Sequence, residues 1–157
     1  FGRFIAEGQT NIIPNEVKLD GTLRTFDENW RAEAHMKITH MAQSIAESMG
    51  GSCDVFIDKG YPFLVNDAEV TEKARLAAIE YLGAEQVVDL DLRMTAEDFA
   101  YYSQQLPVCF YRLGVRNEEK GIVHNLHTTR FDVDESSLET GAGLMAWLAV
   151  KALENNN

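Results

Sequence analysis

The spacing of apolar residues changes near Gly60-Tyr61-Pro62, and this change limits the folds that the chain can adopt. Upstream, two runs alternate between apolar and polar residues as half-buried strands do. The segment Asp27–Ser48 has apolar residues three or four positions apart, which is typical of an amphipathic helix, and Gly50-Gly51 ends that pattern. The predicted elements are strands at 1–7, 16–26 and 53–58 and a helix at 27–48. This order is typical of an α+β layer.

Downstream, helix and strand patterns alternate, which favours an α/β unit with a mostly parallel sheet. The predicted helices are 67–82, 96–105 and 135–153, and the predicted strands are 86–90 and 108–113. We therefore expect two portions, an α+β portion in residues 1–62 and an α/β portion in residues 63–157, both incomplete as folds.

The composition excludes several classes of partner. The chain has 14 Lys and Arg residues against 25 Asp and Glu residues, which gives a formal net charge of −11. A broad electrostatic attraction to phosphate backbones or anionic lipid is therefore not expected. No apolar run approaches the roughly 20 residues that span a bilayer, and no basic-then-apolar signal segment opens the chain. We expect neither a nucleic-acid partner nor a membrane partner.

The two cysteines and the first residue bear on the setting of the protein. Cys53 and Cys109 lie in apolar, strand-like runs without CxxC spacing. This arrangement predicts buried, reduced thiols and fits a cytoplasmic protein. Phe1 stands inside an apolar strand pattern, so we expect the chain to be part of a longer protein.

His127 lies in a polar connection that begins after Gly114 and precedes the last predicted helix. Loops that follow the strands of α/β folds are common places for binding groups, and imidazole is a common metal ligand. A surface histidine without a ligand is the more common case, and local sequence leaves both interpretations open. Zinc needs three or four ligands, and the chain has no HxH, HExxH or cysteine cluster. A metal site at His127 would therefore draw on residues outside this sequence.

Thr95-Ala96-Glu97-Asp98 has the form of a capping box. In that motif the threonine oxygen accepts a hydrogen bond from a helix N–H and the carboxylate reaches back to the cap residue. Alternatively, Thr95 and Glu97 line a cleft at the carboxyl end of a strand, where free helix N–H groups can bind a ligand. The sequence alone does not choose between these interpretations.

Asn11 and Arg24 form a further candidate pair. Asn11 lies in the turn that leads into the second predicted strand, and Arg24 lies near the end of that strand. A guanidinium beside an amide is suited to binding a carboxylate, because its fork donates two parallel hydrogen bonds. A solvated strand arginine is the alternative interpretation.

Five short motifs occur in order along the chain. They are Asn11-Ile12-Ile13-Pro14, Gly21-Thr22-Leu23-Arg24-Thr25, Met94-Thr95-Ala96-Glu97-Asp98-Phe99, Leu113-Gly114, and His127 followed by Phe131-Asp132 and Asp134-Glu135. In this order and spacing they resemble the C-terminal half of M20-type metallopeptidases, particularly the amidohydrolase branch with aminoacylases, hippurate hydrolases and auxin-conjugate hydrolases. The resemblance covers nearly the whole chain. Thr128 and Thr129 stand where this family carries a Ser-Pro pair.

The resemblance implies a two-domain enzyme, in which a smaller lid domain interrupts an α/β catalytic domain. The lid would be an α+β, ferredoxin-like domain that also forms a homodimer. Residues 1–62 would be the latter part of this lid, and residues 63–157 would be the C-terminal part of the catalytic domain.

The resemblance also implies roles for particular residues. His127 would match the last ligand of a metal site, and Asn11 and Arg24 would bind the substrate's carboxylate or the scissile carbonyl oxygen. Thr95 and Glu97 would lie beside the metal pocket. The other metal ligands and the general-base glutamate would lie upstream of Phe1, so no catalytic residue is assigned here and the chain is expected to be inactive alone.

The implied activity is hydrolysis of the amide bond of N-acyl amino acids or small peptides, with water activated by two divalent metal ions. Zinc is the expected metal, and manganese, cobalt or nickel would satisfy the same kinds of ligand. A non-catalytic binding or dimerisation module with the same fold is the alternative. A self-contained α+β protein with accidental motif matches is a third possibility.

Overall fold

The structure is a computed structural model that describes residues 1–154. The chain divides into two compact units. Unit 1 comprises Phe1–Phe63 and Met94–Ala96, and unit 2 comprises Leu64–Arg93 and the chain from Glu97 onward. The assignment of residues 1–62 to a lid and residues 63–157 to a catalytic domain stays a prediction.

Unit 1 begins with two antiparallel strands, β1 (Arg3–Ile5) and β2 (Lys18–Asp20), in which Phe4 lies opposite Leu19. Both strands fall within the predicted runs but are shorter than them. The reason is that ladder hydrogen bonds define a strand, and this ladder extends over three residue pairs.

The helix α1 (Glu28–Ser48) confirms the prediction for this segment. A carboxylate oxygen of Asp27 accepts a hydrogen bond of 2.8 Å from the backbone N–H of Trp30, which caps the first turn. At the other end Gly50 adopts a φ of 82°, a left-handed conformation that glycine reaches at little cost, and its N–H donates to the carbonyl of Glu47. Both helix ends are therefore set by residues next to them in sequence.

One face of α1 carries an exposed apolar stripe. Ala34 is buried, whereas the larger apolar residues of the same face are at least 41% exposed. These larger residues, the α1 stripe, are Trp30, Ile38, Met41, Ile45 and Met49. The helical periodicity of the sequence therefore predicted the secondary structure correctly. No other element of the described residues covers this apolar face.

The first turn of α1 fastens the end of unit 1. Arg31 donates hydrogen bonds to the backbone carbonyls of Lys59 (3.1 Å) and Tyr61 (2.8 Å) and forms an ion pair with Glu28. Glu28 in turn accepts a hydrogen bond of 3.1 Å from the backbone N–H of Phe63. The predicted strand at 53–58 is wrong, because no described residue pairs with this segment in a ladder.

Unit 2 contains three helices, α2 (Ala68–Leu82), α3 (Ala100–Ser103) and α4 (Ser136–Glu154). The first and last of these confirm the predicted helices at 67–82 and 135–153. Asp67 caps α2 through a 2.9 Å hydrogen bond from the N–H of Val70, and Gly83 ends the helix. The predicted helix at 96–105 is wrong in extent, because only α3 is helical there.

The helices α2 and α4 pack against each other. The indole N–H of Trp147 donates a hydrogen bond of 3.1 Å to the carbonyl of Ala77, and the Trp147 and Tyr81 rings stack with 6.3 Å between centroids. The ammonium of Lys151 lies over the Trp147 ring and pairs with Glu80 at 3.1 Å. Ala77 and Leu144 are buried in these helices.

The predicted strands at 86–90 and 108–113 are wrong. A short 3₁₀ turn, Ala84–Gln86, follows α2, and neither predicted segment joins a ladder within residues 1–154. Asn66 instead satisfies both backbone groups of Phe110, because its side-chain N–H donates to the carbonyl (2.9 Å) and its oxygen accepts from the N–H (2.7 Å). Side-chain bonds thus replace ladder bonds at this position. The α+β and α/β fold classes stay predictions.

Two further sequence predictions have structural counterparts. Cys53 and Cys109 are free thiols, but both are half-buried rather than buried, because their segments are not enclosed in a sheet. None of the helices in residues 1–154 is long and apolar enough to cross a membrane.

Candidate functional site

Unit 1 brings Arg24 to the segment that contains Thr95. The guanidinium of Arg24 donates a hydrogen bond of 3.0 Å to the backbone carbonyl of Met94, 70 residues later in sequence. The Arg24 side chain is exposed, and it makes no other hydrogen bond with the described residues. Because a guanidinium has several N–H groups in one plane, Arg24 retains donors for a ligand.

Asn11 lies in the turn that precedes β2. Gln9 and Ile12 exchange two backbone hydrogen bonds, of 3.0 and 3.1 Å, and thereby close this turn around Asn11. The Asn11 side chain is exposed and forms no hydrogen bond with any residue in the described range 1–154. The structure therefore places Asn11 and Arg24 in the same unit without a direct bond between them.

The capping-box interpretation of Thr95 and Glu97 is wrong. The helix begins at Ala100, and its N-cap is Phe99, which makes no side-chain capping bond. Two consecutive turns precede the helix instead, with backbone hydrogen bonds from Ala100 to Glu97 (3.1 Å) and from Tyr101 to Asp98 (3.0 Å). Thr95 is exposed and belongs to unit 1, whereas Glu97 is half-buried and belongs to unit 2. The pocket-lining role of both residues stays a prediction.

His127 occupies the tip of a loop in an unusual backbone conformation. Its φ is 64°, in the left-handed region where a side chain with a Cβ costs about 1–2 kcal/mol. Two local hydrogen bonds shape the tip, from the Thr128 hydroxyl to the carbonyl of Asn125 (2.8 Å) and from the N–H of Phe131 to the carbonyl of Thr128 (3.1 Å). The imidazole is exposed and makes no hydrogen bond or ion pair within residues 1–154. Backbone strain of this kind is common at functional sites.

A zinc site needs three or four protein or solvent ligands. Within the described chain no group of three or more His, Cys, Asp and Glu residues is placed to hold a metal ion. His127 fits the role of a single imidazole ligand, because its ring is exposed and not engaged elsewhere in that part of the chain. The described residues therefore fit a contribution to a shared site and do not form a complete one.

The base of the same loop contains a buried carboxylate, Asp134, which is 7% exposed. Asn117 donates a side-chain hydrogen bond to it at 2.6 Å, Lys120 forms an ion pair with it at 2.5 Å, and the N–H of Ser136 donates at 3.3 Å. The hydrogen bonds from Asn117, Lys120 and Ser136 hold the pKa of Asp134 well below its usual range. We call these four residues the Asp134 cluster.

The amino-acid sequence alone does not indicate the Asp134 cluster. Asp134 was part of a motif, but Lys120 and Asn117 lie 14 and 17 residues before it. The available local signal was an aspartate two residues before a serine at a helix start, which is typical of a cap. That signal predicts the hydrogen bond from Ser136 to Asp134, but it does not predict the bonds from Asn117 and Lys120.

A groove of about 400 Å³ lies on unit 1. It is lined by His35, Met36, Thr39, His40, Gln43 and Ile57. The Thr39 hydroxyl bonds to the backbone of its own helix, and the His40 ring lies 3.5 Å from the Ser44 hydroxyl. The groove therefore contains no described residue from the predicted site.

Comparisons with known proteins agree with the motif order. The family model for peptidase family M20/M25/M40 matches residues 6–151. Thermostable carboxypeptidase 2 and thermostable carboxypeptidase 1 of Saccharolobus solfataricus are each 38% identical to this chain over 144 residues, which are 90% of this chain and 35% of either relative. IAA-amino acid hydrolase ILR1-like 6 of Arabidopsis thaliana is 32% identical over 151 residues, which are 94% of this chain and 32% of that relative.

The chain thus spans about a third of the length of these curated relatives. No solved structure matches the chain significantly. The family resemblance inferred from Arg24, His127 and their neighbouring motifs is confirmed, because the family match extends over nearly the whole chain. The chain belongs to peptidase family M20/M25/M40.

Proposed function

We propose that the full-length protein is a metal-dependent hydrolase that cleaves the amide bond of N-acyl amino acids or small peptides. The observation that carries this proposal is the family match over residues 6–151. Two relatives are named a carboxypeptidase and an IAA-amino acid hydrolase. Both names describe cleavage of an amide bond that releases an amino acid with a free carboxylate, so we expect the substrate of this protein to carry a free carboxylate.

Arg24 would bind that carboxylate. Its guanidinium is exposed, is oriented by the 3.0 Å bond to Met94, and keeps further N–H groups free of the described residues. Two parallel N–H donors match the two oxygens of a carboxylate and fix its orientation as well as its charge. Asn11 would donate its amide N–H to the substrate's carboxylate or to the scissile carbonyl oxygen.

His127 would serve as one metal ligand through a neutral ring nitrogen. Bound divalent ions, for which we propose two zinc ions, would lower the pKa of water and polarise the amide carbonyl. Manganese, cobalt or nickel would satisfy the same type of donor. Thr95 and Glu97 would line the pocket, and a general base supplied by residues outside this sequence would move the proton from water to the leaving amine.

We also propose that the protein is a homodimer that associates through unit 1. The α1 stripe supports this, since five large apolar side chains on one helix face are at least 41% exposed. Exposed apolar surface of this kind favours association. Met41→Glu should therefore shift the full-length protein from dimer toward monomer in sedimentation velocity, whereas Met36→Glu, on the opposite face of α1, should leave the dimer intact. Equal behaviour of the two variants would exclude the α1 stripe as the interface.

The catalytic proposal is tested by amine release from a panel of N-acetyl amino acids with added zinc or manganese. Wild type should release amine, and His127→Ala should abolish the release. The matched control is His124→Ala, because His124 is an exposed histidine of the same loop and should be dispensable. Activity that survives in His127→Ala would remove this residue from the metal site. No release by any of the three proteins would favour the non-catalytic module.

A further inference from the structure

The loop that contains His127 is closed at its base by one residue. The backbone N–H of Asp134 donates a hydrogen bond of 3.0 Å to the carbonyl of Val115, where the loop begins. Its carboxylate accepts hydrogen bonds from the side chains of Asn117 (2.6 Å) and Lys120 (2.5 Å), which lie shortly after Val115 in sequence. Asp134 therefore binds the first part of the loop through both its backbone and its side chain.

Asp134 also binds the helix that follows the loop. Its carboxylate accepts a 3.3 Å hydrogen bond from the N–H of Ser136, and its carbonyl accepts a 2.9 Å bond from the N–H of Ser137. Both residues belong to the first turn of α4. Because Asp134 is 7% exposed, water does not readily substitute for these partners. The loop base and the helix start are thus fixed at one buried point.

Among residues 1–154, the remainder of the loop makes only local hydrogen bonds between this base and the tip. Asn117 and Ile122 exchange two backbone hydrogen bonds, of 2.9 and 2.8 Å, around a turn in which Gly121 has a φ of 72°. The tip residues 125–131 are shaped by the bonds of Thr128 described above. His127 has no side-chain bond to the described residues that could fix its ring. The position of the imidazole therefore depends on how the loop base is held.

We propose that Asp134 is a positioning residue for His127: by closing the base of the loop from Val115 to Asp134, it sets where the imidazole is presented to a divalent metal ion. The inference rests on the proposed function, since it takes His127 to be a metal ligand. Among residues 1–154, Asp134 makes no hydrogen bond to the His127 ring, so in this role it would act through the backbone of the loop. A group that hydrogen-bonds directly to a metal ligand typically alters metal affinity 10–100-fold when it is removed, and we expect an effect in the same range for Asp134.

The experiment compares Asp134→Asn with Asp132→Asn in the full-length protein. Asp132 is a matched control, because it is an exposed carboxylate of the same loop whose side chain bonds only to its neighbour Val133 among the described residues. The first measurement is native-state cleavage by trypsin after Arg130, which reports on the loop without metal or substrate. The second is the dissociation constant for zinc, obtained by competition with a chromophoric chelator.

Asp134→Asn should accelerate cleavage after Arg130 and weaken zinc binding about 10–100-fold, whereas Asp132→Asn should change neither. Faster cleavage with an unchanged zinc constant would make Asp134 purely structural and would overturn the proposal. Unchanged cleavage and binding would also overturn it. If Asp134→Asn does not fold, Lys120→Met removes one partner from the exposed side, and the same two effects are expected at smaller size.

His127→Ala separates this inference from the proposed function. If zinc binding is unchanged in His127→Ala, the ligand assignment fails, and the positioning role of Asp134 fails with it. If His127→Ala weakens zinc binding and Asp134→Asn does not, only the positioning role fails. Weakened binding in both variants supports both statements.

Discussion

The guanidinium of Arg24 and the backbone carbonyl of Met94 are joined by a 3.0 Å hydrogen bond across 70 residues of sequence. Two of the motifs that define the family resemblance therefore meet within one compact unit. The bond to Met94 uses only part of the donor capacity of the guanidinium, so Arg24 is held by the fold and still has N–H donors that are not engaged by the described residues.

The first prediction concerns Arg24. Arg24→Lys keeps the positive charge but removes the planar pair of donors, so we expect kcat/KM for N-acetyl amino acids to fall roughly 10–100-fold, as the loss of one charge-assisted hydrogen bond would produce. The loss should appear mainly in KM, and it should vanish for substrates whose carboxylate is replaced by an amide. Arg3→Lys is the control, because Arg3 is an exposed arginine of unit 1 that pairs with Asp20 on the neighbouring strand. An equal loss on amide substrates would argue against carboxylate binding.

The second prediction separates backbone strain from metal binding at His127. Its φ of 64° suits glycine, so His127→Gly should be more stable than His127→Ala by about 1 kcal/mol in urea denaturation. Both variants should lack hydrolytic activity, since neither has an imidazole. A glycine variant no more stable than the alanine variant would show that the left-handed conformation is not retained in solution.

The third prediction concerns the pH dependence of stability. The folded pKa of Asp134 is lowered by its hydrogen bonds, first from Asn117 and then from Lys120 and Ser136. The ionised Asp134 carboxylate therefore stabilises the folded state fully above the ordinary aspartate pKa of about 3.9. This contribution is lost as the pH falls through the lower pKa that Asp134 has in the folded state.

The measured quantity is the difference in urea midpoint between wild type and Asp134→Asn. This difference should be constant from about pH 7 to pH 5 and should shrink below about pH 4. The same substitution can be made in a Lys120→Met background. There, Asp134→Asn should lower the urea midpoint less at neutral pH than it does in the wild type, because one hydrogen-bond partner of Asp134 is already absent. A difference in urea midpoint that grows on acidification would contradict a lowered pKa for Asp134 in the folded protein.

The fourth prediction concerns the packing of α2 against α4. A Cβ added at Gly143 would lie 3.0 Å from the Cζ atom of Tyr81 and still closer to its hydroxyl, and the Tyr81 ring is stacked on Trp147. In Gly143→Ala, overpacking should therefore lower the free energy of unfolding by about 1–3 kcal/mol, of which the helix propensity of alanine offsets up to about 1 kcal/mol.

Gly141→Ala is the matched control for this prediction. Its Cβ would meet the Cδ2 atom of Leu113 at 2.7 Å, which is the end of a flexible side chain. The helix propensity of alanine offsets that contact by up to about 1 kcal/mol, so a change near zero is expected. Equal effects of the two substitutions would mean that the Tyr81 ring moves aside without loss.

Helices were predictable in this chain because the residues that start and end them are adjacent in sequence. Asp27 and Gly50-Gly51 bound α1 as predicted, and Gly83 ends α2 as predicted. The short helix α3 was not predictable in extent, because the turns at Glu97 and Asp98 precede it without a side-chain cap. Strands were predicted less well, because a strand depends on pairing with distant residues and not on its own pattern.

The candidate site was predictable only as separate motifs. Sequence could name Arg24, Asn11 and His127 from the chemistry of their side chains and the family resemblance. It could not give the bond from Arg24 to Met94 or the left-handed conformation of His127, since both depend on the folded backbone. The same holds for Lys120 and Asn117, whose shared partner Asp134 lies more than a dozen residues away.

The closure of the loop at Asp134 has a consequence for how its length can change. The two ends of the loop meet at a buried point. The hydrogen bonds at the base therefore do not depend on the number of residues between Ile122 and Phe131. Each doubling of a flexible loop costs only about 0.6 kcal/mol in closure entropy. Insertions at the tip would therefore be tolerated by the fold while they displace His127. The proposed metal-ligand role of His127, and not the stability of the fold, would then constrain the spacing around this histidine.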